Sequence, residues 1–106
     1  MLKAMMRIDE IRACVAPLFT AKGAKRAVLF GSVARGTDDG RSDIDLLVVD
    51  NEDLRYFARL DKYYDELVDL LQRPVDLFVY REAEMEALRD RPFVRRALAE
   101  GKVIFE

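Results

Sequence analysis

The sequence predicts an α+β fold: a small mixed sheet covered by helices, in the element order αβαβαβαβ. Three observations predict it. Segments with a helical apolar period alternate with short, nearly continuous apolar runs that fit buried strands. The chain has 106 residues, about half of them hydrophobic, which fits one domain over residues 1–106 and one modest core. A Gly31-Ser32 turn follows the first apolar run, and two aspartates alternate along the second.

The elements follow in order. Ile8, Ile11, Val15, Leu18 and Phe19 recur at helical spacing between charged residues and predict a helix over roughly residues 7–21. Pro17 should kink or tighten its last turn, and Gly23 should stop it. Arg26-Ala27-Val28-Leu29-Phe30 is a short buried strand that delivers the chain to Gly31. A helical turn from Ser32 to near Gly36 comes next, then a polar loop from Thr37 to Ser42 in which Asp38 and Asp39 are turn residues. Asp43 to Val49 predicts a second strand, with Asp43, Asp45 and Leu47 on one face and Ile44, Leu46 and Val48 on the other. Asp50-Asn51-Glu52-Asp53 is an acidic turn suited to a helix N-terminus. Leu54, Phe57, Leu60, Tyr64, Leu67, Val68 and Leu71 set the apolar face of a long helix ending before Pro74. Val75 to Tyr80 is a third strand with Asp76, Phe78 and Tyr80 on one face. A charged helical stretch broken at Pro92 runs on to Gly101, and Val103-Ile104-Phe105 closes the chain as an edge strand.

Composition narrows the chemistry. There is no histidine, which removes Ser-His and Cys-His catalysis. The single cysteine, Cys14, lies on the apolar period of the first helix and reads as a small buried hydrophobe; with no second thiol, neither an intrachain disulfide nor a structural zinc site is expected. The formal net charge of −2 argues against direct binding to a nucleic-acid backbone. No segment has the apolar length of a membrane span and Met1-Leu2-Lys3-Ala4 lacks a signal-peptide core, so a cytoplasmic location is expected. Chemistry is left to carboxylates, hydroxyls, lysine, arginine or a metal held by oxygen.

Those residue types meet in one run. Side chains two apart on a strand leave the same face about 6 to 7 Å apart at Cα. Asp43 and Asp45 are so placed, and such a pair can help to hold two divalent ions about 4 Å apart. Hard carboxylate oxygens suit Mg²⁺, with Mn²⁺ as the alternative. Asp76 sits in an apolar strand where a charge is costly. If that strand pairs with the second and Asp76 faces the same way, three carboxylates meet and their repulsion calls for cations. Gly31 lets the backbone approach a ligand, the Ser32 amide and hydroxyl can face a phosphate, and Arg35 lies one turn further on. Arg35 suits a surface ion pair equally well.

Gly31-Ser32, ten residues, then Asp43-x-Asp45 resembles the signature of the polymerase-β-like nucleotidyltransferase superfamily, and Gly-Ser-Val-Ala-Arg-Gly with the small size resembles its minimal (MNT) branch. The resemblance implies metal ligation and catalysis by Asp43, Asp45 and Asp76, triphosphate contact by Gly31 and Ser32, and ATP as substrate. It further implies an antitoxin that transfers AMP from Mg-ATP to a tyrosine of a HEPN-domain ribonuclease toxin and forms a hetero-oligomer with it. The absence of histidine fits the transferase half of such a pair. Two other readings stand beside it: transfer to a small molecule, as in antibiotic nucleotidyltransferases, and a non-catalytic antitoxin acting by stoichiometric binding. Tyr56, Tyr63 and Tyr64 suggest base stacking, but Tyr64 follows its helix's apolar period and fits core or interface better. Arg89, Arg91, Arg95 and Arg96, interleaved with acids, read as a solvated helical surface.

Overall fold

The computed structural model describes residues 7–37, 40 and 42–106. The expected turn residues Asp38 and Asp39, and the first four residues, lie outside them. Four strands form one sheet: β1 (Arg26–Phe30), β2 (Ile44–Val49), β3 (Val75–Tyr80) and β4 (Lys102–Phe105), in the order β3-β2-β1-β4. β1 pairs antiparallel with β2 and β4, while β2 and β3 run parallel, so the sheet is mixed. The helices are α1 (Ile8–Lys22), α2 (Gly31–Arg35), α3 (Tyr56–Leu71), α4 (Glu82–Leu88) and α5 (Pro92–Glu100).

Strand alternation sorts the core into two layers. Leu29, Ile44, Leu46, Val48, Leu77 and Val79 pack with Ile11, Val15 and Phe19 of α1 and Leu67 and Leu71 of α3. On the other face Val28, Leu47 and Val49 pack with Met85 of α4 and with Val94 and Ala97 of α5. Each fully buried Leu, Ile or Phe contributes about 1.5–3 kcal/mol. The second layer is smaller, and on its face of the sheet stand Asp45 and Asp76.

Local signals account for the helix limits. α1 runs through Pro17, whose exposed ring faces solvent while Val15, Leu18 and Phe19 hold both flanks to the core. It stops at Gly23 in the left-handed region, φ 78°. β2 starts at Ile44, leaving Asp43 just ahead of the strand. α3 starts at Tyr56 and not in the acidic turn, and its buried face is Arg59, Tyr63, Leu67 and Leu71. That phase differs from the expected one: Phe57 is 78% exposed and Tyr64 41% exposed, while Tyr63 is fully buried. The reason is polar. The Tyr63 hydroxyl and the Lys62 ammonium both donate to Oδ2 of buried Asp50, and the Glu52 amide donates to its Oδ1. Burial alone would raise the Asp50 carboxyl, but these bonds outweigh it and hold Asp50 below the usual carboxylate range.

Two arginines bind the sheet's outer strands. Arg59 donates to the Leu54 and Val79 carbonyls and pairs with Glu84 of α4, while Arg12 donates to the Val103 carbonyl at 3.1 Å. Cys14 is half-buried against the α1–α3 layer, as its period predicts. Among the described residues no helix is long and apolar enough to cross a membrane.

Tyr63→Phe removes one donor from a buried carboxylate and should cost about 1–3 kcal/mol at neutral pH. A depressed carboxyl stabilises above its unfolded value, near 4, and loses that contribution as pH falls through its folded value. The gap between wild type and variant in urea melts should therefore narrow below about pH 4.

Candidate active site

β1 ends at Phe30, and the chain turns at Gly31 into α2. Gly31 has φ 74°, and a Cβ there would stand 2.0 Å from Asp45 Oδ2. Only a glycine lets the backbone pass this close to the carboxylate. Phe30 is the register partner of Asp45 across the β1–β2 pair, so the turn is placed against that side chain. The expected α2 is present, one residue earlier than its sequence suggests, and ends at Gly36 with φ 76°.

On the other side of β2 the parallel register sets Asp45 directly opposite Asp76. Asp45 is half-buried, and Asp76 is exposed on the outer strand. Burial pushes the Asp45 carboxyl up to about 6, and the neighbouring Asp76 and Asp43 add to it; the Arg35 guanidinium opposes the shift. Both other sequence-predicted carboxylates thus act on Asp45. They do not close into a cage: among the described residues no three acidic side chains come near enough to enclose an ion unaided. Mg²⁺ rarely needs such a cage, because it is usually held by one or two carboxylates together with phosphate oxygens and water. An all-oxygen pair in register, with the Asp45 carboxyl raised by burial and by its acidic neighbours, fits such a cation.

Asp43 is exposed and its backbone is fixed on both sides. Arg73 donates to the Ser42 carbonyl, and the Ile44 amide donates to the Pro74 carbonyl at 2.9 Å. Ser32 is half-buried in the first turn of α2. Arg35 makes the surface ion pair its sequence allows, with Glu100 at 3.7 Å, and lines a cavity of about 190 Å³ beside Gly31 and Asp45. Arg96 of α5 lines the same cavity. The sequence hides this, since Arg96 sits in a run of charges that elsewhere is solvated surface, as with Arg89 paired to Glu86. Tyr56 is half-buried with its ring 6.0 Å from that of Tyr80, so of the three tyrosines only Tyr63 is core.

A bare glycine turn against paired carboxylates on a mixed sheet fits nucleotidyl transfer. The chain belongs to the nucleotidyltransferase domain family, whose sequence profile matches residues 8–104. It is 39% identical over 88 residues to a provisionally named protein adenylyltransferase of Methanocaldococcus jannaschii, covering 81% of this chain and 90% of that protein. Among solved structures it is similar to a chain of a toxin–antitoxin complex with AMP-PNP, at a TM-score of 0.65 and 26% identity over 88% of this chain and 71% of that one. It also shares the fold of a provisionally named nucleotidyltransferase from Sulfolobus solfataricus, at a TM-score of 0.52 and 22% identity over 83% of each chain.

A carboxyl raised in the folded state destabilises it at pH values above the unfolded value, and the penalty is complete above the folded value. Asp45→Asn should therefore raise stability at pH 7.5 by on the order of 1 kcal/mol after solvent screening, about 5 °C in Tm. Differential scanning fluorimetry should show the gain shrinking from pH 6 and gone by pH 4. It should shrink likewise when Mg²⁺ is added to wild type at pH 7.5.

Proposed function

We propose that this chain is an antitoxin-type protein adenylyltransferase, which moves AMP from ATP to a tyrosine hydroxyl of a HEPN-type ribonuclease toxin and so silences it. The observation that carries the reading is the register that sets Asp45 opposite Asp76 beside the bare backbone of Gly31. Membership of the nucleotidyltransferase family supports the reaction class. The name of the Methanocaldococcus relative supports a protein acceptor, and the toxin–antitoxin neighbour with AMP-PNP supports a toxin partner and an adenine nucleotide.

Asp43, Asp45 and Asp76 would hold Mg²⁺, with Mn²⁺ as a substitute. When bound, the divalent cation supplies charge neutralisation on the phosphates and acidifies the attacking hydroxyl. The chain's own residues do the rest. Gly31 gives phosphate oxygens access to the backbone, and the Ser32 amide and hydroxyl are donors to them. Arg35 offers a guanidinium to the same chain of phosphates. Asp76, exposed on the outer strand, is open to an acceptor brought by another protein and is the group to receive the hydroxyl proton. The acceptor oxygen attacks the α-phosphorus, the bond to the β-phosphate oxygen breaks in line, and pyrophosphate leaves.

The test uses ATP labelled at the α-phosphate, Mg²⁺ and a HEPN partner protein. Wild type should label the partner on tyrosine, a mass gain of one or more AMP units by mass spectrometry. Asp43→Asn with Asp45→Asn should lower the rate at least about 100-fold. Equal labelling by both proteins would overturn the mechanism. Neutralisation of the partner by the double variant, without labelling, would favour stoichiometric binding.

A further inference from the structure

Arg96 has no part in the reading above, yet it reaches the site. It lies on the exposed side of α5, one residue before buried Ala97. It borders the same cavity as Gly31, Asp45 and Arg35, whose apolar wall is Phe30 and Phe93, with ring centroids 5.6 Å apart. Arg35 is engaged by Glu100 at 3.7 Å. Among the described residues Arg96 makes no ion pair or hydrogen bond, so its guanidinium is the uncommitted cation at the cavity.

A nucleoside triphosphate entering beside Asp45 brings up to four negative charges toward a carboxylate cluster that already repels itself. Part of that repulsion falls to divalent cations; the outer phosphates need protein cations. A guanidinium is suited to the task, because its fork of donors matches phosphate oxygens two at a time. We propose that Arg96 binds the phosphate chain of the nucleotide from α5, while Gly31 and Ser32 approach it from α2, so that the triphosphate lies in the cleft between those two helices. The inference deepens the nucleotidyltransferase reading and rests on it.

The experiment measures equilibrium binding of ATP, AMP and adenosine, each with Mg²⁺, to wild type, Arg96→Ala and Arg96→Lys by isothermal titration calorimetry. Loss of charge-assisted bonds to phosphate should weaken ATP binding by Arg96→Ala about 10- to 100-fold. Adenosine should bind within about twofold of wild type, and Arg96→Lys should recover part of the ATP loss, since it keeps the charge without the fork. Raising salt should weaken ATP binding less in Arg96→Ala than in wild type. ATP affinity unchanged in Arg96→Ala, with wild type binding ATP, would overturn the role of Arg96 and leave the nucleotidyltransferase reading standing. Equal loss of ATP and adenosine would also overturn it, as a structural effect of the substitution. If wild type binds no ATP with Mg²⁺, both readings fall together.

Discussion

The parallel pairing of β2 with β3 is the constraint on which the rest depends. Shifting it by one residue would send every β3 side chain to the opposite face. Asp76 would then point into the layer that Leu77 and Val79 fill against α3, where an ionised carboxylate is not tolerated. The apolar side chains of β3 therefore enforce the register that brings Asp76 to Asp45. The hydrophobic core and the charged site are two consequences of a single alternation.

Holding like charges together has a cost, and the fold meets it elsewhere. Asp45 is destabilised where it stands, but the strand that carries it is central and all its other residues are buried. At the far end of the same strand Asp50 is in the opposite state, buried and satisfied by Lys62, Tyr63 and the Glu52 amide. Two carboxylates five residues apart on one run of chain thus have opposed electrostatics. One anchors the β2–α3 corner; the other is left short of positive charge, the condition that favours a cation. The separation of the stabilising acid from the destabilised one follows from where donors fall, since the carboxylates themselves are chemically alike.

Much of this was legible in the sequence. The Gly31-Ser32 to Asp43-x-Asp45 spacing and the period of β3 place Asp45, Asp76 and Gly31 correctly, because local period and turn chemistry decide them. What was not legible depends on tertiary contact. Tyr63 and Tyr64 are adjacent, and the choice between them turns on a hydrogen bond to Asp50, which the sequence alone presents as one more turn acid. Which arginine of α5 meets the site depends on how closely that helix docks on β1. That approach is set by Gly101, where a Cβ would stand 2.3 Å from the Ala97 carbonyl and 2.4 Å from Val28 Cγ1. A glycine read as a helix stop is also the spacer that lets α5 lie near the carboxylates.

The arginines on the outer strands have a consequence of a different kind. β3 and β4 are the two rims of an open four-stranded sheet, and rims present unpaired backbone groups to any extended segment nearby. At one rim Arg59 takes the Val79 carbonyl and ties α3 to Glu84 of α4 across the strand; at the other Arg12 takes the Val103 carbonyl. Each guanidinium occupies a backbone acceptor of an outer strand, and Arg12, half exposed, adds charge there that an incoming strand would have to desolvate. The borders of the sheet are in this way partly closed to further strands, beside an exposed face that is crowded with negative charge.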